Sequence, residues 1–299
     1  MKTSPKIYGL LVFMTILFGL SFIASQNALQ GLGIYQLVFA RNLLAFSFFL
    51  ILMLWQRRFF PIQKKDWPAF LLLTLIEPVG YFIFETYGVK YTTPSVVSLM
   101  IATIPIYSMV FAFWILKEKT TRAGILGIVL SLLGVYFIIS RQESSFLAPK
   151  PVLGSLFALG AAISAGLYNV LCRRLTQRYS ATTITFYQTL VASLVFFPLA
   201  IWDPTRTEAP LLNYSVVGSL LYLALGCSLL AYFLLNYTLG KMETARVAVF
   251  ANLIPVVTIF ASFLIYSERL SLMQLSGALL VISGIFLTNR KTDTFAHDY

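Results

Sequence analysis

The sequence predicts an all-α polytopic membrane protein: ten transmembrane helices in two five-helix repeats, the second inverted relative to the first. Three observations carry this reading. Hydrophobic residues make up 59% of the chain and charged residues 11%, with a mean hydropathy of +0.83, which leaves no room for a soluble domain. Ten stretches approach the roughly 20 apolar residues that a helix needs to cross hydrocarbon. Finally, Thr93–Ser140 lies over Glu243–Arg290 without a gap, at an offset of 150 residues. Helices are required in lipid because nothing there satisfies open backbone groups, and the alternation of a barrel strand is missing.

The segments follow in order. Residues 7–27 form the first, behind Lys2 and Lys6. It resembles a signal peptide superficially, but the apolar run is long, and Phe22 stands where a small residue should precede a cut after Ala24. A retained first span is expected. Segment two, 35–55, carries Arg41; segment three, 67–89, carries Glu77-Pro78, Tyr81 and Glu85. Segment four, 93–116, holds Ser98, Thr103 and Pro105, and segment five, 122–140, is studded with glycine. Polar and proline-rich sequence at Gln142–Pro151 then closes the first repeat, giving repeats 1–142 and 143–299. Segments six to ten cover 151–173, 181–202, 214–238, 244–266 and 272–289. Cys172 and Cys227 fall inside spans and make neither a disulfide framework nor a metal motif, so they are read as packing residues.

Within the duplicated stretch Val97, Ile104, Pro105, Phe113, Ile115, Glu118, Gly127, Leu130 and Gly134 meet identical residues. Shared leucine and valine mean little in apolar sequence. The rarer letters carry the signal: a proline, a glutamate thirteen residues on, then two glycines seven apart. Duplicating an odd number of spans across a short connection turns the second copy upside down. Inverted repeats of that kind are an architecture of secondary transporters.

A net charge of +11 raises the question of nucleic acid, but the basic residues sit at loop ends. With the N-terminus inside, fifteen Lys and Arg fall in cytoplasmic loops and termini and five outside. Both termini are therefore expected in the cytoplasm, with anionic lipid headgroups rather than nucleic acid as the partner of this charge.

Ionisable groups inside spans are costly, a few kcal/mol or more each, and point to function. Glu77 lies about 15 Å from the cytoplasmic end of segment three at the helical rise. Tyr81 and Glu85 follow at spacings of four, so a continuous helix would put all three on one stripe. The positions 150 residues on are Cys227, Ala231 and Leu235, so the acidic stripe breaks the internal symmetry. Glu77 reads either as a cavity residue, with proton coupling or a substrate cation as its partner, or as a protonated packing residue. Arg41 and Glu85 lie at matched depth in the outer third of neighbouring spans. They read as a structural ion pair, or Arg41 as the partner of a substrate carboxylate. Pro105 and Pro255 sit near the midplane and would free the carbonyls of Ile101 and Ala251, either as kinks and hinges or as polar cavity wall beside Ser98, Thr103 and Asn252. Tyr232 and Asn236 rank first among the polar residues of the second half because their span is the counterpart of segment three. Glu118 and Glu268 end spans four and nine and are read as loop or cap residues. Small residues at Gly124, Gly127, Ser131, Ser276, Gly277 and Gly284 allow close helix approach, within the chain or across a dimer; monomer or dimer stays open.

At these residues the chain resembles the drug/metabolite transporter superfamily, EamA type. The most specific element is the phrase found twice: Pro105 or Pro255, then Glu118-Lys119 or Glu268-Arg269, then a glycine-studded span. Arg41 and Tyr91-Thr92-Thr93-Pro94 also look like family positions, whereas Glu77-Pro78 matches no family motif. The resemblance implies ten helices, a central cavity bounded by segments one, three, four, six, eight and nine, and bracing by five and ten. It implies export of a small organic metabolite, amino-acid-like or drug-like, across a bacterial inner membrane by alternating access. Uptake or facilitated diffusion is the alternative within transport. A membrane enzyme or assembly factor is the rival class, and it lacks support: the single histidine, His297, lies in the terminal tail, and no HExxH, P-loop or cysteine cluster is present. No cofactor or metal is expected.

Overall fold

A computed structural model describes residues 5–57, 61–116, 122–140, 142–206, 213–242, 247 and 250–289, and these contain helices and no strands. Eight helical segments are long and apolar enough to cross a membrane: Lys6–Ala28, Ile34–Trp55, Lys64–Tyr91, Pro94–Ile115, Ala123–Ser140, Pro151–Leu175, Ala181–Ile201 and Tyr214–Leu239. Two shorter apolar helices follow, Leu253–Tyr266 and Leu272–Leu287. These ten keep the numbers one to ten. Of segment nine the structure describes a helical Val247, a tight turn over Phe250–Asn252 and the helix Leu253–Tyr266, while 243–246, 248 and 249 lie outside the described residues.

Local chemistry explains several starts. Thr93 accepts from the Val96 amide, with Pro94 at the first helical position, where a missing N–H costs nothing. Ser180 and Asn213 cap segments seven and eight in the same way, from Thr183 and Val216.

The exterior is apolar and the interior partly polar, the reverse of a water-soluble fold. Leu126 and Phe260 are both 65% exposed, whereas Arg41, Glu77, Glu85 and Asn236 are buried. Hydrocarbon welcomes the first pair and excludes the others, so the ionisable groups point inward.

Three of the main packing partnerships join counterparts: five with ten, two with seven, four with nine. Two others come as mirrored pairs. Segment three packs on six as eight packs on one, and four packs on six as nine packs on one. Segments five and ten approach most closely. A Cβ added to Gly134 would lie 2.5 Å from the Gly277 carbonyl oxygen, and one added to Gly277 would lie 2.6 Å from that of Gly134. The small-residue faces are therefore consumed inside the chain. Gly134→Val should cost about 1–3 kcal/mol through overpacking, because the obstacle is backbone and cannot rotate aside. Thermal unfolding in detergent would check this; an unchanged midpoint would mean the two helices part easily.

Segments three and eight, counterparts in the two halves, share a further irregularity. Each contains widened turns, over Leu75–Gly80 and Tyr222–Ala231. In segment three the helix stops at Glu77, whose backbone is extended at φ −150° and ψ 121°, and the Glu77–Pro78 peptide is cis. The expected stripe of Glu77, Tyr81 and Glu85 is thus broken: only Tyr81 and Glu85 share a helix, Tyr81–Tyr91. Segment four is also divided, into Pro94–Ile101 and Ile104–Leu116. Its break falls at Ala102 and Thr103, just ahead of Pro105, and the turn over Phe250–Asn252 stands likewise ahead of Pro255. Both prolines occupy the first turn of a fresh helix rather than a kink within one, which is where proline is tolerated best.

Candidate functional site

A cavity of about 60 Å³ lies at the centre of the helices. Segment one contributes Met14, Phe18 and Phe22, one residue per turn; segment three adds Glu77 and Tyr81. Ile101 and Ile104 come from the break in segment four, Ala165 and Asn169 from six, Tyr232 and Leu235 from eight. Val247 and Ile254, flanking the turn in segment nine, complete the wall. The six lining segments are the ones the resemblance implied, and both halves of the chain supply them.

Glu77 is the one charged residue among those lining the cavity. It reaches the site because the helix stops there, and Gln188 holds the interrupted backbone by donating from Nε2 to the Glu77 carbonyl at 3.1 Å. Tyr232 donates its hydroxyl to Glu77 Oε1 at 2.8 Å. The other oxygen, Oε2, is buried without a hydrogen-bond partner. Such an atom is expensive to leave bare, and a ligand or proton would relieve it. The carboxylate's partner Tyr232 is held by aromatic packing: the centroids of Phe18 and Phe82 lie 5.4 and 5.8 Å from that of Tyr232, both nearly perpendicular to it.

The predicted Arg41–Glu85 ion pair is not formed as a direct contact; among the described residues the ion pair present is Arg178–Asp66. Arg41 instead donates from Nε to Ser228 Oγ at 2.9 Å, and its guanidinium carbon stands 4.2 Å from the centroid of the Phe82 ring. Glu85 accepts from Thr86 at 3.4 Å, although Arg41 is still close enough to feel its charge. Matched depth did not produce contact because the Phe82 ring captures the guanidinium. Arg41→Gln should lower the folded fraction, removing a charged hydrogen bond and a cation–π contact of about 0.5–2 kcal/mol. Ser228→Ala should then cost less in that background than alone. Full additivity of the two in a denaturation cycle would refute the contact.

The remaining predicted residues are placed as follows. Tyr81 and Tyr232 line the cavity; Arg41, Glu85, Ser98, Thr103, Asn236 and Asn252 do not. Ser98 and Thr103 turn back onto the carbonyls of Ser95 and Met100, at 2.7 and 2.5 Å. Asn236 belongs to a buried network between segments six, seven and eight. It accepts from Tyr168 and donates to Thr185 and Gln188 at 2.8 and 2.9 Å. Asn252 is half-buried, with its Oδ1 unpartnered. Pro105 and Pro255 stand one residue beyond the lining Ile104 and Ile254. Sequence reasoning missed Met14, Phe18 and Phe22, whose spacing of four in an otherwise apolar helix was the available signal. Glu268 accepts from Ser95 at 2.8 Å and from Ser262, tying the start of segment four to the end of segment nine rather than capping alone. Glu118 lies outside the described residues.

Broken helices from both halves, facing one another across a buried cavity with an ionisable group, define a polytopic membrane carrier. The EamA-like transporter family matches the chain twice, over residues 5–140 and 152–290, and the chain belongs to this family, within the drug/metabolite transporter superfamily. It is 30% identical to the uncharacterized transporter YcxC of Bacillus subtilis (strain 168), covering 93% of this chain and 91% of that one. It is 26% identical to a protein of Salmonella typhimurium (strain LT2) named a probable amino-acid metabolite efflux pump, covering 76% and 79%. A solved crystal structure shares the fold, with a TM-score of 0.67 over 93% of this chain and 96% of the other at 17% identity.

Proposed function

We propose that the protein exports a small organic metabolite by alternating access between two inverted five-helix repeats, residues 1–142 and 143–299. The observation that carries this is the central cavity, built by six segments drawn from both halves around Glu77. Self-mirrored packing and the family match within each half support the duplication.

Inversion draws support from two clasps. Asp66, ahead of segment three, accepts from Tyr179 at 2.7 Å and Arg178 at 3.2 Å in the loop between six and seven. Asp203, after segment seven, accepts from the Gln36 amide at 3.0 Å at the start of segment two, while Thr205 accepts from the Ile34 amide. Exchanging the halves turns one clasp into the other, on opposite faces of the molecule.

The basic bias supports a topology with both termini in the cytoplasm of a bacterial cell and ten spans in its inner membrane. Export rather than uptake is favoured by the name of the Salmonella relative, and the apolar body of an amino-acid-like or drug-like solute fits a cavity with few polar groups. Glu77 either binds a cationic group of that solute or carries a proton in exchange for it.

Comparison of external and internal metabolites between a null strain and an overexpressing strain identifies the solute, and liposomes containing purified protein should then move it. Failure of every metabolite to move would end the carrier reading. Topology has its own test. Lys119→Cys, in a chain lacking Cys172 and Cys227, should resist a membrane-impermeant thiol reagent in intact cells and react after permeabilisation. Labelling in intact cells would overturn the inverted assignment.

A further inference from the structure

We propose that the central site selects an organic monocation, an ammonium group on an apolar body, over the amino acid that carries the same body. This deepens the carrier reading and rests on it.

Recognising a zwitterion takes two charges, one for each end of the ligand. Around the cavity the described lining residues supply a single charged group, Glu77, and the free valence there is an acceptor: Oε2, buried and unpartnered. Arg41, the cation of the neighbouring segment two, is not among the residues lining the cavity. Its Nε is on Ser228, and its guanidinium is held by the Phe82 ring. That ring packs nearly perpendicular against Tyr232, and it too is not among the residues lining the cavity. An amino acid bound with its ammonium on Glu77 would therefore bury its carboxylate among Phe18, Phe22, Ile101 and Ile254, with no cation to meet it. An unpaired buried charge of that kind is prohibitive compared with the gain of one ion pair.

A monocation has no such difficulty. Its charge meets the open carboxylate oxygen, the aromatic rims of Phe18 and Tyr81 receive the adjoining carbons, and the apolar wall takes the rest. A volume of about 60 Å³ accommodates an ammonium head and a short chain; a larger body requires the segments to separate. The two counterparts of Glu77 and Tyr81 in the second half, Cys227 and Ala231, add no second acid, so the site holds a single acidic group by sequence as well as by geometry.

Two matched sets of probes test the selection on purified full-length protein: butylamine, norvaline and pentanoate, and phenylethylamine, phenylalanine and 3-phenylpropionate. Within each set the apolar body is held and only the charges change. Ligand-induced thermal stabilisation and direct calorimetry should rank the amine first, at least ten-fold tighter than the amino acid, with the acid weakest. Glu77→Gln should erase the amine's advantage and Glu77→Asp should retain part of it, both eluting as folded protein. A zwitterion or acid binding as tightly as its amine overturns the proposal, as does amine binding indifferent to Glu77→Gln or no amine binding at millimolar concentration. Transport of an unrelated metabolite in liposomes would in those cases leave the carrier reading intact.

Discussion

Glu77→Gln should abolish productive transport while leaving the amount of folded protein in the membrane within about two-fold of the parent. Glutamine fills the same volume, and its carbonyl still accepts from the Tyr232 hydroxyl, so the fold keeps the contact the structure shows. The break in segment three is also preserved, because it depends on the backbone carbonyl held by Gln188 and on Pro78 rather than on the carboxylate. What disappears is the charge at the cavity wall. A cationic substrate should then lose at least ten-fold in kcat/KM, about 1.4 kcal/mol of transition-state stabilisation for each factor of ten. Movement driven by a pH gradient and exchange at equal pH, measured side by side in liposomes, separate the two roles of the residue. Loss of both modes means that Glu77 binds the substrate. Loss of the driven mode alone means that it carries the proton. Unchanged rates and affinity in both would reduce Glu77 to a packing carboxyl.

That residue also shows where sequence reasoning succeeded and where it stopped. The apolar segments were legible because lipid leaves one economical solution for the backbone, so composition and length alone predict helices. The cavity depth of Glu77 was legible for the same reason: an acid inside hydrocarbon has nowhere else to go. Its placement on a helical stripe with Tyr81 and Glu85 failed, although the signal was present. A residue before proline is pushed out of the α region, and Glu77 precedes Pro78 with an extended backbone. The Arg41–Glu85 contact failed for a different reason. Rise per residue gives depth, but not the azimuth of a side chain, and nothing in the spacing announced that Phe82 would take the guanidinium. Tyr232 was ranked by symmetry, from the segment that mirrors Glu77's own, and its hydroxyl donates to Glu77.

Replacing both Ser95 and Ser262 by alanine should open the face proposed as external. Glu268 lies just past the helix of segment nine and accepts from Ser95 at the start of segment four and from Ser262, six residues back in that helix. The bond to Ser95 crosses between the halves at the rim of a polar vestibule lined by Thr92, Gln142, Glu143, Arg269 and Gln274. The same offset that pairs the repeats gives Glu118 as the counterpart of Glu268, but Ala245 and Ala112 as the counterparts of Ser95 and Ser262. The carboxylate was thus kept in both copies while its hydroxyl partners occur in one, so this fastening belongs to a single face. Hydrogen bonds to a charged group contribute about 1.5–3 kcal/mol, and only the one to Ser95 holds the halves together. Removing it should shift the closed-to-open ratio at that face roughly ten-fold or more, since about 1.4 kcal/mol corresponds to each factor of ten. Thiol labelling of Thr92→Cys from outside the cell, in a chain free of Cys172 and Cys227, reads that ratio as a rate. The doubly substituted protein should label about ten times faster, and Ser262→Ala alone should change little because its bond lies within one segment. Equal rates in all three would show that the outer face is closed by apolar packing of segments four and nine, with Glu268 no more than a helix-end residue.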